Sequence, residues 1–293
     1  MIHKIIRQIS ITCCPYLWHK LSAWRATRAN RRQWDERIAD VLACPDNARL
    51  KRVADAGKIV NGCQVMHNGL KVIANGYYGD GITRMLSANG GCHEPQEEVV
   101  FDAIVRVQPA GAVMMEIGAY WGFYSMWFSQ EVKNAKVFLV EPASENIAVG
   151  RRNFQTNGFS GDFTQAYVGE KPQTRSDDIG VISIESFVAE KNIAHLNLLH
   201  SDIQGFEMEM LRGAKPLLDA RRIDYLFIST HSSQLHEECM AFLATSGYRL
   251  LASVNLEETH SFDGVLVACN PLLTPPEFAP PVKKPKRSHA SPT

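Results

Sequence analysis

No stretch of the chain is apolar for long enough to cross a bilayer. The N-terminal MIHKIIRQISITCCPYLWHK has early basic residues and a short apolar run, with no small-residue cleavage site after it. Neither a spanning helix nor a secretory leader is expected, and the cytoplasm is the expected compartment. Cys-x-x-Cys is also missing. The seven cysteines, Cys13, Cys14, Cys44, Cys63, Cys92, Cys239 and Cys269, are scattered and odd in number. That speaks against a zinc site or a complete disulfide framework, and they read as small apolar residues in a reducing compartment. An excess of one charge is absent too, since 31 Lys and Arg balance 31 Asp and Glu. The chain therefore gives no general reason to expect a nucleic-acid partner. Internal repeats are not seen.

What is present is an ordinary globular composition, 45% hydrophobic and 21% charged over 293 residues, enough for a sizeable core. The charge is unevenly placed: residues 1–60 hold twelve Lys/Arg against five Asp/Glu. This segment is read as a basic helical extension. Between Trp18 and Leu42 the spacing predicts a helix, with Trp34, Ile38, Val41 and Leu42 on one face and Arg28, Arg31, Arg32 and Arg37 opposite. That basic face is either solvated or a contact for an anionic membrane surface or a partner. Residues 61–95 form a small strand- and turn-rich entry, and 96–270 the main domain. The Pro- and Lys-rich residues 271–293 read as a disordered or extended tail.

Within the main domain, strand and helix patterns alternate. AVMMEIG, KVFLVEP, FTQAYVG, LNLLHSDIQG and IDYLFISTH read as strands, with helices between them and an acidic, polar loop after FTQAYVG. Such alternation predicts an α/β fold with a parallel sheet covered on both faces. YRLLASVNL and FDGVLVACN follow with no helix between them, so they are expected to pair antiparallel.

The stretch MMEIGAYWGFYS ends the first of these strands. It lacks the G-x-x-x-x-G-K-[ST] of a phosphate loop, because Phe123 and Tyr124 follow Gly122. It also lacks G-x-G-x-x-G, because Tyr120 stands where the second glycine would admit a pyrophosphate. What remains is Glu116 before a two-glycine loop and Glu141 at the end of the next strand. A carboxylate at that second position can accept both ribose hydroxyls. An acidic loop suits a nucleoside that carries an ammonium and a sulfonium in place of phosphate, which describes S-adenosyl-L-methionine. The bland alternative is that both glutamates only cap helix N-termini.

EIGAYWGFYS, VEPASENIAVGRRNFQTNG and LLHSDIQGFEMEMLRGA together resemble the FkbM-type S-adenosylmethionine-dependent methyltransferase family, roughly over residues 90–270, with HEPQEE similar to its upstream acidic segment. The resemblance implies a class I methyltransferase (Rossmann-like) fold: a mostly parallel seven-stranded sheet, one antiparallel strand near its end, and helices on both faces. It implies methylation of a hydroxyl on a sugar, polyketide or other small metabolite or glycan acceptor. Carried over by position, Glu94, Glu116, Gly118, Ala119, Tyr120, Gly122, Glu141 and Asn146 would bind the cofactor. Asp202, Gly205 and Glu207 match the fourth-strand motif. Tyr120 stands where the family commonly has asparagine, His200 where it has lysine, and Gln204 where it has glutamate.

Methyl transfer to a hydroxyl needs alignment and a base. Asp202 and His231, each ending a strand, are the expected catalytic residues. His231 is the expected base, since an unperturbed imidazole titrates near neutral pH. Tyr77 and Tyr78 are candidates for the acceptor pocket. No metal is expected, for want of tight ligand spacing among Asp202, Glu207 and His231. A non-catalytic methyltransferase-like binding domain and a nucleotide-dependent oxidoreductase stay open as rival readings.

Overall fold

The computed structural model describes residues 30–176 and 178–285. Arg28, Cys13, Cys14 and the expected helix start over 18–29 lie outside these, as do residues 286–293.

Helix α1 covers residues 30–42, and a 3-10 turn, Pro45–Ala48, follows it. Trp34 and Ile38 are half-buried and Val41 fully buried, but Leu42 is exposed. Arg37 does not face solvent as expected: its guanidinium lies 3.4 Å from the centroid of the Phe262 ring. Spacing explains the correction. Arg37 is three residues from Trp34, hence on the same helix face, and a flat guanidinium is held well by an aromatic face.

Strands β1 (Ile59–Val60), β2 (Cys63–Val65) and β3 (Lys71–Ile73) form a small antiparallel sheet. Helix α2 (Asp80–Ala88) follows in a segment expected to hold only strands and turns. Its apolar Ile82, Met85 and Leu86 recur at three and four residues and are all buried, a helical period that the surrounding glycines obscure.

The main domain runs α3 (Pro95–Val105), β4 (Val113–Ile117), α4 (Phe123–Glu131), β5 (Lys136–Val140), α5 (Ser144–Asn157) and β6 (Asp162–Thr164). A two-stranded side sheet of β7 (Tyr167–Val168) and β8 (Val181–Ile182) comes next, then α6 (Ile184–Glu190) and β9 (Leu196–Ser201). Helix α7 (Glu207–Asp219), β10 (Ile223–Thr230), α8 (Ser233–Thr245), β11 (Arg249–Val254) and β12 (Gly264–Cys269) complete it. FTQAYVG is thus divided between β6 and β7, and the expected polar loop after it contains β8 and α6.

The seven-stranded sheet has the order β11-β12-β10-β9-β4-β5-β6. All neighbours are parallel except at β12, which runs against both β10 and β11. This is the class I methyltransferase strand arrangement. Side-chain alternation along the strands feeds two cores: Met114 and Leu198 join Phe101, Phe123 and Trp127 on one face, while Met115, Ile117 and Leu199 join Leu211 and Leu218 on the other. Residues 271–285 form neither helix nor strand, yet they are tied down and not free. The Val282 amide donates to Asp46 Oδ2 at 2.8 Å and Gln96 Nε2 donates to the Val282 carbonyl at 2.7 Å.

Candidate active site

The order of the sheet reverses at β4, whose neighbours are β9 and β5, and the carboxyl ends of strands at such a point form a crevice. The loop after β4 is shaped first by close packing. Gly118 has φ +70°, and a Cβ there would lie 1.8 Å from the Asp202 carbonyl oxygen. Its amide and that of Ala119 donate to the Val140 carbonyl at 2.9 and 3.2 Å. Gly122, at φ +71°, is the N-cap of α4, and a Cβ on it would meet Phe154 at 2.8 Å. Tyr120 itself adopts φ +37°.

The carboxylates hold this loop. Glu116 is buried and its Oε2 accepts the Ser125 amide of α4 at 2.9 Å, while burial pushes its pKa up. Glu141 Oε2 accepts the Tyr120 amide at 3.2 Å; its Oε1 accepts from Ala143 N at 3.0 Å and Asn146 Nδ2 at 3.1 Å. The structure therefore brings Glu116, Gly118, Ala119, Tyr120, Gly122, Glu141 and Asn146 together at the ends of β4 and β5. Glu94 stands apart, at the start of α3, where its Oε2 accepts the Tyr124 hydroxyl at 2.9 Å and pairs with His93 Nε2 at 3.1 Å.

A second group of side chains meets beyond β9 and β10. His231 Nδ1 lies 2.6 Å from Glu207 Oε1; its Nε2 lies 3.1 Å from Asp202 Oδ1 and 3.4 Å from Asp263 Oδ1. Burial alone would lower the imidazole pKa, but hydrogen bonds to Asp202 and Glu207 and the charge of Asp263 raise it to about 10. The expectation that His231 is a ready base is thus corrected. The three carboxylates around it favour its protonated form. Asp263, by contrast, is pushed up to about 7 by burial and by the charge of Asp202.

Asp263 was not singled out from the sequence, and topology explains why it belongs. Because β12 runs antiparallel, its start lies at the edge where the parallel strands end. Gly264 pairs with Thr230, which sets Asp263 across from His231. The signal is an acid immediately before the first residue of the antiparallel strand, and it acquires meaning only once the strand order is known.

Asp202 and Asp263 open onto a cavity of about 220 Å³, whose wall also includes Glu94, Tyr78, Trp34 and Arg37. Tyr77 stacks on Trp121 at 4.3 Å between centroids and meets Tyr120 edge-on at 4.8 Å. Tyr78 lies 5.5 Å from Tyr120. These rings connect the cavity to the loop after β4.

The methyltransferase FkbM domain family matches residues 113–250, the segment that carries the loop, Glu141, Asp202 and His231. Residues 113–250 are an FkbM methyltransferase domain. No curated protein matches the chain. Solved structures similar to parts of it include a precorrin-6y C5,15-methyltransferase from Geobacter metallireducens, with 15% identity, TM-score 0.43, and 59% of this chain and 89% of that one covered. Another is M. capricolum TrmK in complex with S-adenosyl-homocysteine, with 10% identity, TM-score 0.41, and 58% and 67% covered. A third is a SAM dependent methyltransferase from Aquifex aeolicus, with 15% identity, TM-score 0.38, and 55% and 82% covered. The domain match and the strand order carry the assignment without them.

S-adenosyl-L-methionine is the cofactor of the FkbM domain, and the chemistry around the loop fits it. Carboxylates of Glu94 and Glu141 and the rings of Tyr78 and Tyr120 suit a cationic nucleoside, and no lysine or arginine stands in the loop to call for phosphate. Behind the FkbM domain's sheet edge, other charged groups lie against one another. His200 Nε2 pairs with Glu97 at 2.7 Å, and Glu98 binds His93 at 2.7 Å and His67 at 3.2 Å. The position matched to the family's lysine is thus a buried histidine paired with Glu97 here. Among the described residues no helix is long and apolar enough to cross a membrane.

Proposed function

We propose that the protein methylates a hydroxyl oxygen of a small metabolite or glycan, in the cytoplasm. The fold and the FkbM domain support methyltransferase activity; the narrower reading rests on one observation. Two carboxylates, Asp202 and Asp263, open onto the cavity that the aromatic rings join to the loop after β4. A hydroxyl is a poor nucleophile until a base takes its proton, and a carboxylate within hydrogen-bond reach meets that need.

When bound, the cofactor supplies an electrophilic methyl group and leaves as the neutral thioether. The chain's own residues do the rest. Glu141 and Asn146 hold the ribose edge of the loop in shape, and Glu94 presents a carboxylate to the cofactor's ammonium. Asp202 holds the acceptor hydroxyl, and Asp263 takes its proton. His231, placed between them, keeps the two aspartates close together, in place of the base role expected from its position.

The reading is tested by calorimetry with S-adenosylhomocysteine, followed by incubation of the protein and cofactor with a panel of sugars and hydroxylated metabolites. A mass gain of one methyl group on an acceptor, at oxygen by fragmentation, is the expected result. Cofactor binding without turnover on any member would favour the non-catalytic alternative, and methylation at nitrogen or carbon would overturn the hydroxyl assignment.

A further inference from the structure

The cluster around His231 has a geometry that an ion pair alone does not require. We propose that Asp202, His231 and Asp263 form a binding site for a divalent transition-metal cation, with Glu207 holding His231 in the ligating tautomer. One nitrogen or oxygen atom from each of the three lies within 4.8 Å of the others. His231 Nε2 is 3.1 Å from Asp202 Oδ1 and 3.4 Å from Asp263 Oδ1. Around a cation with bonds of about 2.1 Å, adjacent ligand atoms stand about 3.0 Å apart in an octahedron and about 3.4 Å apart in a tetrahedron. The observed spacings of 3.1 and 3.4 Å are compatible with shared ligation of one cation.

The hydrogen-bond accounting points the same way. Nε2 faces Asp202, Asp263 and, at 2.8 Å, Gln204 Nε2. A single N–H can serve only one of the two carboxylates and would face another donor in the Gln204 amide, whereas a cation beside the lone pair can serve both carboxylates together. The other nitrogen is already fixed. Nδ1 lies 2.6 Å from Glu207 Oε1, an oxygen that also accepts the Gly205 amide at 3.1 Å. Glu207 is fully buried and its Oε2 has no partner. A buried carboxylate that accepts the Nδ1 proton and leaves Nε2 free is the supporting arrangement of metal-bound histidines.

One imidazole and two carboxylates suit Mn²⁺, Fe²⁺, Co²⁺ or Zn²⁺ better than Ca²⁺. Asp202 and Asp263 line the cavity, so the remaining coordination positions face the place where an acceptor hydroxyl would enter. A hydroxyl ligated there would lose its proton more easily, the proton passing to the Asp263 oxygen that does not ligate the cation. In this use the site rests on the methyl-transfer reading; cation binding itself is measurable apart from it.

The test is titration of the full-length, tag-free, EDTA-treated protein with Mn²⁺, followed by the electron paramagnetic resonance signal of the free ion. One Mn²⁺ per chain is expected, with affinity lowered at least tenfold in Asp263→Asn and in His231→Gln. Glu207→Gln is expected to weaken binding about tenfold through the histidine. Melting curves identify variants that have lost their fold, and whichever of the first two remains folded decides the matter. Absence of a stoichiometric site for Mn²⁺, or unchanged affinity in the folded variants, overturns the proposal. Titration with S-adenosylhomocysteine on the same samples keeps the two readings apart. Its binding without Mn²⁺ binding removes the metal site and leaves the methyl-transfer reading. Mn²⁺ binding without it retains the site and sinks that reading.

Discussion

The two halves of the crevice are built on opposite principles. On the proposed donor side, after β4 and β5, polar groups are committed to the protein itself. Glu116 holds the Ser125 amide, Glu141 holds three donors, and Gly118 packs against a backbone carbonyl. On the proposed acceptor side, Asp202, Asp263 and Arg37 come from three separate parts of the chain and line a cavity. The donor side is a rigid local motif. The acceptor side is an assembly that exists only after the fold is complete.

Breaking the donor side should have the largest effect. Gly118→Ala would drive a Cβ to within 1.8 Å of the Asp202 carbonyl oxygen in a left-handed backbone. The ends of β4 and β9 would have to part, at about 4 kcal/mol or more. Gly205→Ala on the acceptor loop provides the contrast. Its φ is +102°, but a Cβ there meets nothing within 4 Å, so only backbone strain of about 1–2 kcal/mol is expected. Chemical denaturation of the two variants measures the difference, and equal losses would show that close packing is not what the loop requires.

The same contrast explains what was legible in the sequence. EIGAYWG, Glu141 and the alternation of strands are local patterns, and they carried the fold class and the set of residues that meet around the loop after β4. Helix α2 was hidden because glycines at its borders masked a short apolar period. The true environment of His231 was hidden because Glu207 lies 24 residues away in the chain and Asp263 lies 32 residues away. A histidine's position at a strand end shows that it can reach a ligand; its protonation state depends on neighbours that only the tertiary fold supplies. Arg37 was misread for a simpler reason: four arginines were treated as one face, although the Trp34–Arg37 spacing already joined one of them to the apolar side.

A titration sharpens the comparison within one short segment. His236, five residues beyond His231, lies between Thr230 Oγ1 at 2.8 Å and Ser253 Oγ at 2.9 Å, and burial lowers its pKa to about 4. Its unfolded counterpart takes a proton first as the pH falls through about 6.5. The sign is therefore a loss of stability from pH 6.5 down to about 4, with no contribution from this group above that window. A loss on the order of 2 kcal/mol is expected. It would be read from denaturant midpoints between pH 7 and pH 4.5, and His236→Asn should flatten the profile. An unchanged profile in that variant would assign the acid sensitivity elsewhere.

Glu141→Gln tests whether the donor side binds ligand as well as holding itself together. An amide in this position places an NH₂ against the Tyr120 amide or the Asn146 side chain, both donors. Affinity for S-adenosylhomocysteine is expected to fall about tenfold, or about 1.4 kcal/mol. A lower melting temperature with unchanged affinity would reduce Glu141 to a loop tie.

The smallest effect is expected at Arg37, and it bears on the acceptor side alone. Its guanidinium stacks on Phe262 and lies 5.3 Å from the Trp34 ring centroid, at the wall of the cavity. Burial lowers its pKa, although not enough to discharge a guanidinium. A flat cation between aromatic rings can donate in-plane hydrogen bonds to acceptor hydroxyls or to an anionic group without leaving its stack. Arg37→Met keeps much of the apolar stem and removes the donors. Once an acceptor is known, KM should rise about three- to tenfold, or about 1 kcal/mol, with kcat nearly unchanged, because uniform binding is lost and not the chemistry. A fall in kcat at constant KM would place Arg37 with Asp202 and Asp263 in the reacting group and shift the boundary between positioning and catalysis toward α1.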